Sequence, residues 1–250
     1  MTIQSGISIN NLVVGYSKQA PVNREAWHIN IKSGELIAII GPNGSGKTSL
    51  LRALMGDRTY QSGEIFVWGE KDSVESWSAK KLSRYFSYLP QETFFEPLQE
   101  TEAYLKLAFL PRLGLFGQML GDDHSVFENI VTDLSLHKFL KKRLQDLSSG
   151  ERQKIFLARA LLQTGPITLL DEPTNHLDPN IVETTWRLLK RKKGQKTMIV
   201  ATHDLTQVER HCDQIIVLSK ENLVFSGSIA EYQSLGIKQI VFPLIDLPDR

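Results

Sequence analysis

Gly41, Pro42, Asn43, Gly44, Ser45, Gly46, Lys47 and Thr48 follow one another in the pattern G-x-x-x-x-G-K-[ST]. That order of residues suits the gripping of a phosphate chain. Glycine has no Cβ, so its backbone can wrap an anion closely with N–H groups turned inward. A lysine in seventh place reaches the β- and γ-phosphates, and the hydroxyl after it binds Mg²⁺. Much later in the chain come two carboxylates, Asp171 and Glu172, just before Pro173, and an imidazole at His203. Asp171 ends an apolar run, where a charge is costly unless a cation meets it. Mg²⁺ shared with Thr48 would meet it. Adjacent carboxylates can then divide their work, one neutralised by metal and the other left basic.

These groups need a scaffold that brings them together. Glu35 to Ile40 is a short apolar run of strand length, and Ser49 to Met55 contains good helix formers, so the glycine-rich loop joins a buried strand to a helix N-terminus. Ile167 to Asp171 and Thr197 to Ala201 read as further buried strands, the second running into Thr202, His203 and Asp204. Val182 to Arg191 reads as a helix, and Asp213 to Leu218 with Asn222 to Phe225 as a closing strand pair. Strands alternating with helices imply a mostly parallel sheet with ligands at its carboxyl edge. Near the start, Ile7 to Tyr16 alternates apolar and polar side chains, Ala20 to Lys32 reads as a second strand and Gly63 to Gly69 as a third, together an antiparallel sheet. Ser76 to Arg84 reads as a helix and Tyr85 to Leu89 as a strand. Helical periodicity then dominates from Glu100 to Lys142, broken from Pro111 to Gly121, which reads as a helical lobe inserted into an α/β core. A helix from near Gly150 to Leu162 follows, and Ile237 to Arg250 carries no pattern.

Composition sets outer bounds. The 250 residues are 41% hydrophobic and 23% charged, ordinary for a globular protein, with a formal net charge of +1 that attracts neither nucleic acid nor an anionic membrane. No apolar run is long enough to span a bilayer, and the first residues do not read as a secretory signal. The single cysteine, Cys212, allows no internal disulfide and reads as a small packed residue of a reducing compartment. The basic runs Lys141 to Arg143 and Lys190 to Lys193 read as solvated faces, so no nucleic-acid partner is expected.

Beyond the phosphate-loop pattern, Gln91 follows a strand, Leu147, Ser148, Ser149, Gly150 and Glu151 precede a helix, and Leu169 to Pro173 and His203 each end a strand. In this order the motifs resemble those of the ATP-binding subunits of ABC transporters, from about Ile7 to Tyr232. The resemblance implies a P-loop NTPase core of class α/β, with a mostly parallel sheet, an antiparallel β subdomain and a helical subdomain. It implies one domain over 1–250: an α/β core from 1–90 and 163–236, a helical subdomain from 91–162 and a tail from 237–250. Gly41 to Ser49 then hold ATP, Thr48, Gln91 and Asp171 hold Mg²⁺, and Glu172 is the general base. Lys47 reaches the β- and γ-phosphates, Gln91 touches Mg²⁺ and the attacking water and senses the membrane partner, and His203 lies near the γ-phosphate. Tyr16 matches the aromatic that stacks on adenine. Ser148, Ser149, Gly150 and Glu151 match the signature loop, which closes over ATP held by a second copy, and Asp178 the aspartate at that contact. The family commonly shows Leu-Ser-Gly-Gly-Gln here, so Ser149 adds a Cβ to a tight turn. Glu151 is expected to point away from the anion as a cap partner.

The resemblance further implies a peripheral subunit at the cytoplasmic face of the membrane, working as a head-to-tail homodimer on separate permease subunits, with a solute-binding protein acting indirectly. Asp171 to Asp178 and Leu147 to Gln153 are similar to the importer ATPases for iron-siderophores, haem or cobalamin. Phe94 and Phe95 fall where the family docks its membrane subunit, though core packing explains them equally well. The alternative is a soluble ABC ATPase of the ribosome-associated or cluster-assembly type.

Overall fold

The computed structural model describes residues 6–14, 23, 25–57, 60–114, 117–220 and 222–237. Tyr16 and 238–250 lie outside these residues. The chain opens with strands β1 (Gly6–Val14), β2 (Trp27–Lys32) and β3 (Leu36–Ile40), helix α1 (Lys47–Leu54) and β4 (Tyr60–Val67). Next come α2 (Ala79–Tyr85), β5 (Phe86–Leu89), α3 (Thr101–Lys106), α4 (Leu110–Leu113), α5 (Gly121–Asp133) and α6 (Ser149–Leu162). The last part holds β6 (Ile167–Asp171), α7 (Pro179–Lys192), β7 (Thr197–Ala201), α8 (Leu205–His211), β8 (Gln214–Leu218), β9 (Leu223–Ser228) and α9 (Ile229–Ser234).

The main sheet runs β5-β6-β7-β3-β8-β9. Its first five strands are parallel, and β9 is antiparallel to β8. Every residue of β3, β6, β7 and β8 is buried, as expected of parallel strands covered on both faces. Side chains alternate across a strand, so β3 divides its residues between two cores. Leu36, Ala38 and Ile40 join the helical layer through Leu105, Phe127, Ile155 and Trp186. Ile37 and Ile39 face α1 and the inner side of a second sheet, β2-β1-β4, which is antiparallel. The helices α3, α5 and α6 thus share one apolar core with the main sheet.

Three expectations are corrected. The second strand, read from Ala20, begins at Trp27 among the described residues; Ala20 to Val22 and Arg24 lie outside them, and Asn23 is a brace and not a ladder residue. Its buried side chain accepts the Val14 N–H at 2.7 Å and donates to the carbonyls of Leu12 (2.9 Å) and Glu25 (2.7 Å). The helix read from Ser76 is a 3-10 turn over Val74–Ser76, followed by α2, which Ser78 caps by accepting from the Lys81 N–H. Pro111 does not break the lobe. It sits in the first turn of α4, where its missing N–H is not needed, and the break comes at Gly114 with φ of +70°. An unread element, α9, is announced by a capping box between Ser228 and Glu231.

Both basic runs are engaged. Lys141 pairs with Glu102 at 2.8 Å, Arg191 with Asp133 at 2.6 Å and Lys193 with Asp213 at 2.6 Å. Cys212 is half-buried at the end of α8, and burial pushes its thiol well above the ordinary range. Among the described residues no helix is long and apolar enough to cross a membrane.

Candidate functional site

The phosphate-loop residues leave the carboxyl end of β3, between β7 and β8. A Cβ added at Gly41 would collide with the Leu218 carbonyl, so only glycine fits where the loop passes β8. Gly46 caps α1 in the left-handed region at φ +96° and offers no side chain to the helix. The first turn of α1 has no acidic residue either, so its N–H groups and positive dipole end stay available to an anion. Among the described residues the buried Ser45 hydroxyl has no hydrogen-bond partner. Lys47 Nζ donates to the carbonyls of Gly41 (2.8 Å) and Pro42 (3.1 Å), which leaves one of its three donors for a ligand. Burial holds its ammonium below the usual lysine range, against the pull of Glu172 and Asp171.

Asp171 ends β6 at 1% exposure. Burial raises its carboxyl above the usual range, and the Thr48 hydroxyl, donating to Oδ2 at 2.7 Å, works against that. Hydroxyl and carboxylate oxygens are hard donors, suited to Mg²⁺. Among the described residues no three His, Cys, Asp or Glu side chains converge as a metal cage. A cation here would therefore complete its shell from the phosphates and water.

Glu172 follows in the left-handed region at φ +49°. That costs of order 1–3 kcal/mol for a residue with a Cβ and persists only when the surroundings enforce it. They do so from two sides: its N–H donates to the Ala201 carbonyl at 2.9 Å, and its carbonyl accepts from Gln153 at 3.4 Å. Its carboxylate lies 3.1 Å from His203 Nδ1 through both oxygens. A carboxylate only accepts, so Nδ1 carries a proton and donates to it. The sequence places Glu172 and His203 on different strands and gives no sign of this pairing.

One cleft of about 400 Å³ gathers Asn43, Gly44, Gly46, Lys47, Thr48, Ser49, Gln91, Asp171 and Glu172. A second of about 440 Å³ gathers Ser148, Ser149, Gly150, Glu151 and Asp178 with Lys154 and His176. Among the described residues none lines both, so the structure does not bring the signature residues to the phosphate loop of the same protomer. Ser148 caps α6 in a capping box: its hydroxyl accepts the Glu151 N–H at 3.3 Å, and the Glu151 carboxylate accepts the Ser148 N–H at 2.8 Å. That bond holds the Glu151 carboxyl below the usual range. Gly150 presses on the backbone of the loop before α7, and an added Cβ would lie 2.7 Å from the His176 carbonyl. Gly150→Ala is therefore expected to cost about 1–3 kcal/mol. Thermal unfolding would show it as a melting temperature several degrees lower. Of the proposed site residues only Tyr16 escapes placement, since it lies outside the described residues. Gln153 was missed, because its neighbours come from a distant strand end.

Residues 25–175 match the family described as ABC transporter. The zinc uptake system ATP-binding protein ZurA of Listeria innocua is 29% identical over 91% of this chain and 87% of its own length. The cobalamin import ATP-binding protein BtuD of Halobacterium salinarum is 32% identical over 80% of this chain and 50% of its own length. Among solved structures, a dimeric bacterial ABC transporter cassette superposes with a TM-score of 0.76 at 26% identity, over 89% of this chain and 98% of that one.

Proposed function

The chain belongs to the ABC transporter family as an ATP-binding, ATP-hydrolysing domain, and on that footing we propose that two copies pair head to tail around two MgATP to drive solute import through separate membrane subunits. The observation that carries this reading is the division of the chemistry. The phosphate loop, Asp171 and Glu172 line one cleft and Ser148 to Glu151 another, so each protomer offers two half-sites. A second copy turned about a two-fold axis would set each signature loop against the other's phosphate loop.

In this reading Gly41 to Ser49 cradle the phosphates, and Tyr16 stacks on the base. Thr48, Asp171 and Gln91 would hold Mg²⁺, which would supply charge neutralisation to the phosphates. Glu172 accepts a proton from the attacking water, and His203 steadies its carboxylate through Nδ1; with Nε2 protonated as well, the ring would donate to the γ-phosphate. ATP makes contacts in the closed pair that its products lose, so binding closes the dimer and hydrolysis opens it. The 91–162 segment acts as a helical subdomain on the core formed by 1–90 and 163–236, with Asp178 at the dimer contact. The solute class is a metal ion or cobalamin, supported by the relatives named for zinc and cobalamin; they offer no support for iron-siderophores or haem. A solute-binding protein would act through the permease, and the chain would lie peripherally at the cytoplasmic face of the membrane.

The permease would dock beside an apolar groove of about 330 Å³ that includes Leu82, Leu89, Tyr104 and Phe156. Phe94, next in the chain to the groove residue Thr93, is 95% exposed, whereas Phe95 packs on Phe156 at 5.7 Å and under the Arg152 guanidinium at 5.4 Å. Phe94→Ala is expected to leave the melting temperature unchanged and to lower solute-stimulated ATPase activity in the reconstituted transporter. Phe95→Ala should also lower stability, by about 1–2 kcal/mol. Co-purification with the membrane subunits, then ATPase assays with zinc or cobalamin supplied, tests the whole reading. ATPase activity indifferent to membrane subunits and solute alike would reject it.

A further inference from the structure

Gln153 lies on α6, the helix that Ser148 caps, yet its side chain reaches into the other half of the protomer. Its Nε2 donates to the carbonyls of Pro173 (3.2 Å) and Glu172 (3.4 Å). The same segment is held from the sheet by the bond between the Glu172 N–H and the Ala201 carbonyl of β7. Glu172 is thus suspended between the sheet and the signature helix, in a backbone conformation that its surroundings must enforce. The direction of a side chain follows its backbone torsions. A shift of α6 that pulls on these carbonyls therefore swings the Glu172 carboxylate. The two clefts share no lining residue, so Gln153 links the helix that opens one to the base that lines the other.

We propose that Gln153 is a positioning residue that transmits the state of the signature end of α6 to Glu172. ATP held by one copy against Ser148 of the other then sets the aim of the base at that other copy's own nucleotide. The inference rests on the head-to-tail reading. Its consequence is cooperative turnover: each base is correctly aimed only when the opposite site is filled. Coupling of this kind is a free energy shared between two sites through a physically continuous element, here one amide and one helix.

The test uses the full chain and two substitutions. Gln153→Met keeps the length of the side chain and suits a helix, but removes both N–H donors. Gln153→Glu keeps the shape and sets an acceptor against the carbonyls. ATPase rate against ATP concentration gives kcat, KM and the Hill coefficient. Binding of a fluorescent ATP analogue reports the phosphate-loop half alone. ATP-dependent dimerisation is followed in a Glu172→Gln background. Expected are a kcat lowered about ten- to a hundredfold, the scale of a small misplacement near the chemistry, and a Hill coefficient falling from above one to one. Analogue affinity and dimerisation should be retained. Wild-type kcat and Hill coefficient in both substitutions would overturn the proposal, and so would a loss of analogue affinity that parallels the loss of rate. A chain that stays monomeric with ATP in the Glu172→Gln background, before any change at Gln153, would instead overturn the head-to-tail reading.

Discussion

Glu172→Gln is expected to lower steady-state phosphate release about 10²–10³-fold while ATP still binds. Glutamine has the same shape, so the backbone bonds to Ala201 and Gln153 can survive, and the amide oxygen can still accept from His203 Nδ1. What is lost is the basic oxygen that takes the proton from water, a contribution of that order for a well-placed general base. In the proposed head-to-tail pair closure depends on contacts with intact triphosphate, so the variant should also collect as an ATP-bound dimer, visible by size-exclusion chromatography with ATP in the buffer. An unchanged rate of phosphate release would remove Glu172 from the role of base. A lost rate without the dimer would leave the base in place and count against the sandwich.

Lys47→Ala is expected to act earlier, on binding itself. The ammonium is half-buried, tied to two loop carbonyls, and lies in the field of Asp171 and Glu172. Removing it takes a cation from the lining of the cleft and frees the Gly41 and Pro42 carbonyls. A hydrogen bond to a charged group is worth about 1.5–3 kcal/mol, so nucleotide affinity should fall about ten- to a hundredfold. Titration with a fluorescent nucleotide measures this directly. Wild-type affinity would exclude Lys47 from the site. The contrast between the two variants is itself informative, since one spares binding and loses turnover and the other loses binding first.

Much of this was legible along the chain because the decisive groups are local. The phosphate loop is contiguous, and its glycines, lysine and threonine need only a strand before and a helix after. The apolar runs of β3, β6, β7 and β8 announced strands buried on both faces. The capping box of Ser148 and Glu151 could be anticipated from an acid beside an anion site. Local reading failed where a side chain replaced a backbone ladder, as Asn23 does before β2, or where a proline was tolerated in a first helical turn, as at Pro111.

The sequence by itself determined the class of chemistry and the family, because residue types at fixed short separations define a phosphate loop, a pair of strand-end carboxylates and a signature loop. Only the tertiary structure decided which of these groups meet. Thr48 touches Asp171, His203 touches Glu172, Gln153 holds the Glu172 carbonyl, and the signature loop opens elsewhere. Those contacts join residues far apart in the chain. They depend on strand order and on how α6 packs against the sheet, which are set by the whole pattern of burial rather than by any single motif.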